Sequence, residues 1–230
     1  MNGGRAEREI DGGGRLRVGV ISLGCAKNLV DTEVMLGHLD RAGCEFVRDP
    51  RQADVILVNT CGFIEPAREE SVQAILEAAQ FKKDGRLRRL VVAGCMVQRY
   101  RAELARALPE VDAFVGLDEL DRVVSGVGLA PAPVRAAAGA PALRVLRSVP
   151  RSAAAVGSRP SRYLYDDTTP RKTATPAWSA YIKIAEGCDH GCAFCAIPGF
   201  RGRFRSRPVQ SVVREARELA GRGVAEINLI

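Results

Sequence analysis

Three cysteines, Cys25, Cys61 and Cys95, each stand one or two residues beyond a short apolar run rich in β-branched residues, and a helix-like stretch follows each run. The local strings are SLGC, NTCG and AGC. A strand followed by a helix, repeated, argues for an α/β fold in which helices cover both faces of a parallel sheet. The strands are expected at Arg17–Leu23, Asp54–Asn59, Arg89–Ala93 and Val111–Val115. The helices are expected from about Leu29 to Ala42, from about Pro66 to Lys83, at Gln98–Ala107 and, as a short helix, near Asp118–Val124. Pro66 suits a first helical turn, where its missing N–H has no intrahelical partner to lose.

The carboxyl edge of an open parallel sheet is where such folds bind ligands. Strand ends spaced by ~4.8 Å can aim three thiolates at one small object. Gly24, Gly62 and Gly94 let the backbone approach it closely. Three soft thiolates without a fourth partner suit an iron–sulfur cluster with one open iron better than structural zinc, which takes four ligands. The alternative is three small residues buried at strand ends. Cys44 has no such placement and reads as an ordinary core or strand-start thiol. The seven cysteines are an odd number, and a reducing cytoplasm would not pair them as structural disulfides.

Cys188, Cys192 and Cys195 form a second set in EGCDHGCAFCAIP, a C-x3-C-x2-C loop directly after an alternating strand at Tyr181–Ala185. A helix from Val209 to about Arg222 and a strand at Ala225–Ile230 complete one βαβ unit. Three cysteine ligands on a four-iron cluster leave one iron free to bind S-adenosylmethionine, the arrangement of a radical S-adenosylmethionine domain, whose radical chemistry belongs to the cofactors. Phe194, just before the last cysteine, stands where it could pack near the adenine or simply fill a core. His190 could complete a zinc knuckle, although its place between two close cysteines makes joint tetrahedral ligation awkward.

Charge and composition divide the chain. Residues 1–127 hold 18 Lys/Arg against 20 Asp/Glu, and residues 128–230 hold 16 against 7. The basic second half suits RNA or another acidic partner, or else a solubilising surface. No apolar run approaches the ~20 residues that span a bilayer. The expected organisation is a disordered tail at 1–15, a cluster-binding domain at 16–127, an Ala/Pro/Arg-rich linker at 128–170, and the start of a second domain at 171–230.

The strings ISLGCAKNLVDTE (21–33), NTCGFIEPAREES (59–71), AGC (93–95) and YIKIAEGCDHGCAFCAIPGFRGRFRSRP (181–208) resemble the methylthiotransferases, which are radical S-adenosylmethionine enzymes with a second cluster in an N-terminal domain. Ser22–Asp31 and the GFIEPAREES after Cys61 resemble the RimO-type branch, which modifies a ribosomal protein; tRNA-modifying relatives tend to have Gln-Met where Ala26-Lys27 stands here. The resemblance implies addition of a methylthio group to the β-carbon of an aspartate in small-subunit ribosomal protein twelve. It implies two [4Fe-4S] clusters, one on Cys25, Cys61 and Cys95 that carries the incoming sulfur and one on Cys188, Cys192 and Cys195 that generates the radical. It also implies S-adenosylmethionine as methyl donor and radical source, and an electron donor as partner. Family members continue through a larger partial barrel and a small RNA-binding-like domain, so the βαβ unit is expected to be the first of a truncated barrel and the chain by itself to be inactive. The competing readings are a tRNA adenosine methylthiotransferase, a two-cluster electron carrier, and a zinc-bound RNA-interaction module suggested by Arg201, Arg203, Arg205 and Arg207. The electron carrier would need four ligands per cluster, and only Cys44 is spare.

Overall fold

The computed structural model describes residues 15–83, 87–130 and 160–230. Most of the expected tail, and residues 131–159 of the expected linker, lie outside the described residues. Strands β1 (Arg17–Ser22), β2 (Glu45–Val47), β3 (Val55–Thr60), β4 (Arg89–Gly94) and β5 (Ala113–Val115) form one sheet in the order β2-β1-β3-β4-β5, with every pairing parallel. Helices α1 (Ala26–Arg41), α2 (Glu65–Lys83), α3 (Cys95–Ala107) and α4 (Val123–Gly126) connect or follow these strands.

All six residues of β3 are buried, as a central parallel strand covered on both faces requires. Alternation then assigns them to two cores. Val55 and Leu57 join Val30, Val34 and Leu39 of α1 and Val123 of α4 on one face. Ile56 and Val58 join Ile75 and Ala79 of α2 and Met96, Val97 and Leu104 of α3 on the other. Strand β2 has no counterpart among the sequence expectations. Its three partly exposed residues carry no periodic signal, and the strand exists through its register against β1, Arg17 opposite Glu45 to Gly19 opposite Val47.

Residues 160–170, within the stretch read as linker, pack against the first domain. Tyr165 is 2% exposed and enters the core between α1 and the sheet. One carboxylate oxygen of Asp118 accepts hydrogen bonds from Ser161 Oγ at 2.7 Å and from the backbone N–H groups of Arg162 and Tyr163 at 2.8 Å. The segment then crosses α1 so closely that a Cβ on Gly37 would lie 2.4 Å from both Arg171 N and Pro170 C. Backbone cannot give way as a flexible side chain can. Gly37→Ala is therefore expected to lift this crossing and destabilise the protein by about 1–3 kcal/mol, read as a lower denaturation midpoint in urea. An unchanged midpoint would contradict the close crossing.

In the second unit β6 (Ser179–Ile182) pairs in parallel with β9 (Glu226–Leu229). The helix α6 (Val209–Gly221) joins them and buries Leu219 against Ala180 and Ile182. The βαβ unit is thus present, but the strand expected over Tyr181–Ala185 is broken. At Ile184 the backbone changes partners: its N–H donates to Ile230 O and its carbonyl accepts from Arg207 N, each at 2.8 Å. The chain continues as β7 (Ala185–Glu186), which pairs antiparallel with β8 (Arg205–Ser206). These two short strands close a loop holding the second cysteine set and a short helix, α5 (Ile197–Arg201).

Candidate functional site

Strand order β2-β1-β3-β4-β5 reverses direction between β1 and β3, and ligands of such sheets bind beyond the carboxyl ends at that switch point. Cys25, Cys61 and Cys95 follow β1, β3 and β4, three adjacent strands, at that edge. Cys25 is the N-cap of α1, and Cys95 is the first residue of α3. Neither helix has an acidic residue in its first turn, so their partial positive charge is left for a thiolate.

The strand ends are locked together. Asn28 Nδ2 donates to Leu23 O at 2.6 Å and to Thr60 O at 3.3 Å, and Asn59 Nδ2 donates to Asn28 O at 2.8 Å. Ser71 Oγ accepts from Cys61 N at 3.1 Å and so holds the Cys61 turn to α2. Gly24 adopts φ +92°, and a Cβ there would stand 2.8 Å from Cys61 Cβ and 3.2 Å from Cys61 Sγ. A Cβ on Gly62 would strike the backbone of Met96 at 2.8 Å. A side chain at Gly24 would collide with Cys61 beside its sulfur, and one at Gly62 would collide with the backbone at Cys95 and Met96.

Cys44 lies elsewhere. It immediately precedes β2, at the amino edge of the sheet, and packs into the core between α1 and the sheet. Burial pushes its thiol up to about 11.

The second set lies in the loop between β7 and α5. Cys195 N donates to Cys192 O at 3.1 Å, and Cys188 N donates to Gly202 O at 3.0 Å. Cys192 is exposed and Cys188 and Cys195 are half-buried. Phe194 is 89% exposed, so it does not fill a core. His190 is also exposed.

The loop of the second set reaches the first set. Cys95 belongs to a small apolar cluster with Leu117 and Phe200, against which Ala196 and Ile197 pack, and these last two directly follow Cys195. Beside this contact lies a buried quartet of charges. Lys183 pairs with Asp31 and, at 3.0 Å, with Glu186; Arg201 pairs with Asp31 at 3.0 Å and with Glu186 at 2.5 Å. Arg201 Nη2 also donates to Cys95 Sγ at 3.0 Å. Burial pushes the Cys95 thiol up to about 12, against the lowering pull of Arg201.

Sequence reasoning named none of Asn28, Asp31, Asn59, Lys183 or Glu186 as site residues, and it grouped Arg201 with a surface patch. In the fold Arg201 and Arg207 are buried, and Arg207 is paired with Glu215. Arg205 donates to the carbonyls of Arg203 and Arg201, which leaves Arg203 as the exposed member of the four.

Among the described residues no three Cys, His, Asp or Glu side chains close on a single metal ion. A four-iron cluster makes a different demand, because each cysteine binds a separate iron and the sulfurs stand further apart. The first set fits that demand: three unpaired thiols on adjacent strand ends, glycine backbone between them and a cationic donor at one sulfur. In the second set three unpaired thiols share one loop, and a Cβ on Gly191 would meet no atom within 4 Å, so there is room at its surface.

Residues 17–116 match the family described as "Uncharacterized protein family UPF0004", and residues 182–230 match the radical SAM superfamily. The chain is 50% identical over 215 residues to a protein of Solibacter usitatus named ribosomal protein uS12 methylthiotransferase RimO, covering 94% of this chain and 41% of that protein. A protein of the same name from Heliobacterium modesticaldum is 51% identical over 215 residues, covering 94% and 43%. The chain thus spans less than half the length of these relatives. Among solved structures, the radical S-adenosylmethionine methyltransferase TsrM of Kitasatospora setae, with cobalamin and a [4Fe-4S] cluster bound, superposes with a TM-score of 0.54 at 15% identity, over 94% of this chain and 47% of that one. At that identity the likeness concerns the fold alone. No described helix is long and apolar enough to cross a membrane.

Proposed function

We propose, from the premise that this chain corresponds in sequence to the N-terminal part of the RimO-type methylthiotransferases, that it serves the addition of a methylthio group to the β-carbon of an aspartate in ribosomal protein uS12. Cys25, Cys61 and Cys95 hold one four-iron cluster in this reading, and Cys188, Cys192 and Cys195 hold the other. Each set leaves one iron without a protein ligand. When bound, the clusters and S-adenosylmethionine supply the radical that opens the carbon–hydrogen bond and the sulfur that replaces the hydrogen.

The observation that carries this reading is the contact of the second cysteine loop with the first set. Cys95 shares a small apolar cluster with Phe200, against which the residues after Cys195 pack, and its sulfur accepts a hydrogen bond from Arg201. A radical formed at one site and a sulfur delivered from the other must meet at one carbon, and a fold that separated the loops could not serve both. Asn28, Asn59 and Ser71 position the strand ends, while the Lys183–Asp31–Arg201–Glu186 quartet holds the second loop against the first. Phe194, on the open side of the second loop, is the proposed contact for the adenine of S-adenosylmethionine. The proposed partners are uS12, free or in the ribosome, and an electron donor. The proposed setting is the cytoplasm, and any RNA contact would rest on exposed side chains such as Arg203.

The test compares a strain lacking the gene for this protein with its complemented counterpart. Mass spectrometry of uS12 and of tRNA nucleosides should show the methylthio group on a uS12 aspartate only in the complemented strain. Its gain on tRNA adenosine alone would overturn the assignment.

A further inference from the structure

Arg201 joins the second cysteine loop to the first cysteine set. It lies at the end of α5, six residues after Cys195, and is almost fully buried. Its Nη1 donates to both oxygens of Glu186, at 2.5 and 2.9 Å, and its Nη2 donates to Asp31 at 3.0 Å. The remaining bond from Nη2 runs at 3.0 Å to the sulfur of Cys95, which belongs to the other cysteine set. Lys183 already balances the second of the two carboxylates, so charge pairing within the quartet is complete without the sulfur. As a thiol, Cys95 also directs its own proton toward Asn28 Oδ1 at 3.7 Å.

We infer that Arg201 is a positioning residue through which the second cysteine loop sets the reduction potential of the first site. This rests on the proposed ligation of a cluster by Cys25, Cys61 and Cys95. Reduction places part of the added charge on the cysteine sulfurs, and an N–H donor aimed at one of them stabilises the reduced form, so the potential rises. A guanidinium suits the task because it has donors only and a fixed fork, which lets it grip two carboxylates and still present an N–H to sulfur. Lysine at this place would keep the charge and lose the fork.

The experiment uses the 230-residue chain with Cys188, Cys192 and Cys195 changed to alanine, reconstituted without air with iron and sulfide, so that only the first site is loaded. Arg201→Lys should retain the iron and lower the midpoint potential. The expected change is on the order of tenfold in the reduction equilibrium, about 59 mV for a one-electron couple. In parent protein grown with 15N-arginine, pulsed electron paramagnetic resonance of the reduced cluster should show a weak 15N coupling that Arg201→Lys abolishes. Iron-loaded Arg201→Lys protein with the parent's potential and coupling would overturn the inference and leave the proposed function standing. A parent that binds no iron would overturn the proposed function and this inference with it. If Arg201→Lys fails to fold or to hold iron, the labelled parent decides: a 15N coupling supports the inference, and its absence overturns it.

Discussion

Replacing Cys25, Cys61 or Cys95 with alanine is expected to remove about half of the iron from the reconstituted chain, roughly four of eight atoms if both sets hold four-iron clusters. Cys44→Ala is expected to remove none. The contrast follows from parallel strand geometry. The three proposed ligands follow the carboxyl ends of β1, β3 and β4, whereas Cys44 precedes the amino end of β2. Six residues at ~3.3 Å each put the two edges of the sheet roughly 20 Å apart. Cys44 is packed among core side chains, and its raised thiol pKa of about 11 makes it a poor source of thiolate at neutral pH. Iron and sulfide analysis of the four variants tests this directly. Iron loss from Cys44→Ala equal to that from Cys61→Ala would remove the basis for the assignment.

Asp31→Ala is expected to be the most destabilising single change in the charged quartet, by about 3–5 kcal/mol, because it strands Lys183 and Arg201 in the interior with one carboxylate between them. For a domain of this size that corresponds to a fall in melting temperature of roughly 6–20 °C. Asp31 lies on α1, and Lys183, Glu186 and Arg201 all come from the second unit, so limited proteolysis should also cut first within 160–230. A melting temperature within a degree or two of the parent would show that the quartet does not hold the two units together. The same quartet predicts an acid response. Burial alone would raise the Glu186 carboxyl, but Lys183 and Arg201 outweigh it and hold the group down at about 2, below its ordinary 4.5. A depressed carboxyl contributes stability that is complete above the ordinary value and is lost as pH falls toward the folded one. Thermal melts between pH 6 and pH 2.5 should therefore show the second unit losing stability below about pH 4.5.

Signals confined to one stretch of chain were legible in the sequence. The run at Val55–Val58 announces a buried parallel strand by its composition, and the helices over α1, α2 and α6 announce themselves by spacing. Expected and observed ends differ mostly by one to three residues. Strand β2 and the short β7–β8 pair were not legible, since two or three residues carry no period and acquire a strand's conformation only from the partner that accepts their hydrogen bonds. The arginines at 201, 205 and 207 look alike in a row of basic residues. Whether each faces water or a buried carboxylate depends on Asp31, Glu186 and Glu215, up to 170 positions away.

The sequence alone therefore determined which cysteines form two sets and that the first set shares one edge of a parallel sheet. Strand alternation and cysteine spacing are properties of neighbouring residues, readable without knowing what lies across the core. Only the tertiary structure decided that the second cysteine loop reaches the first set, that Tyr165 of residues 160–170 sits in the first core while its hydroxyl bonds Lys183 and Glu215, and that Arg201 of one loop touches the sulfur of the other. Those contacts join residues far apart in the chain. They follow from the burial of complementary charge and apolar surface between elements, which no local pattern encodes.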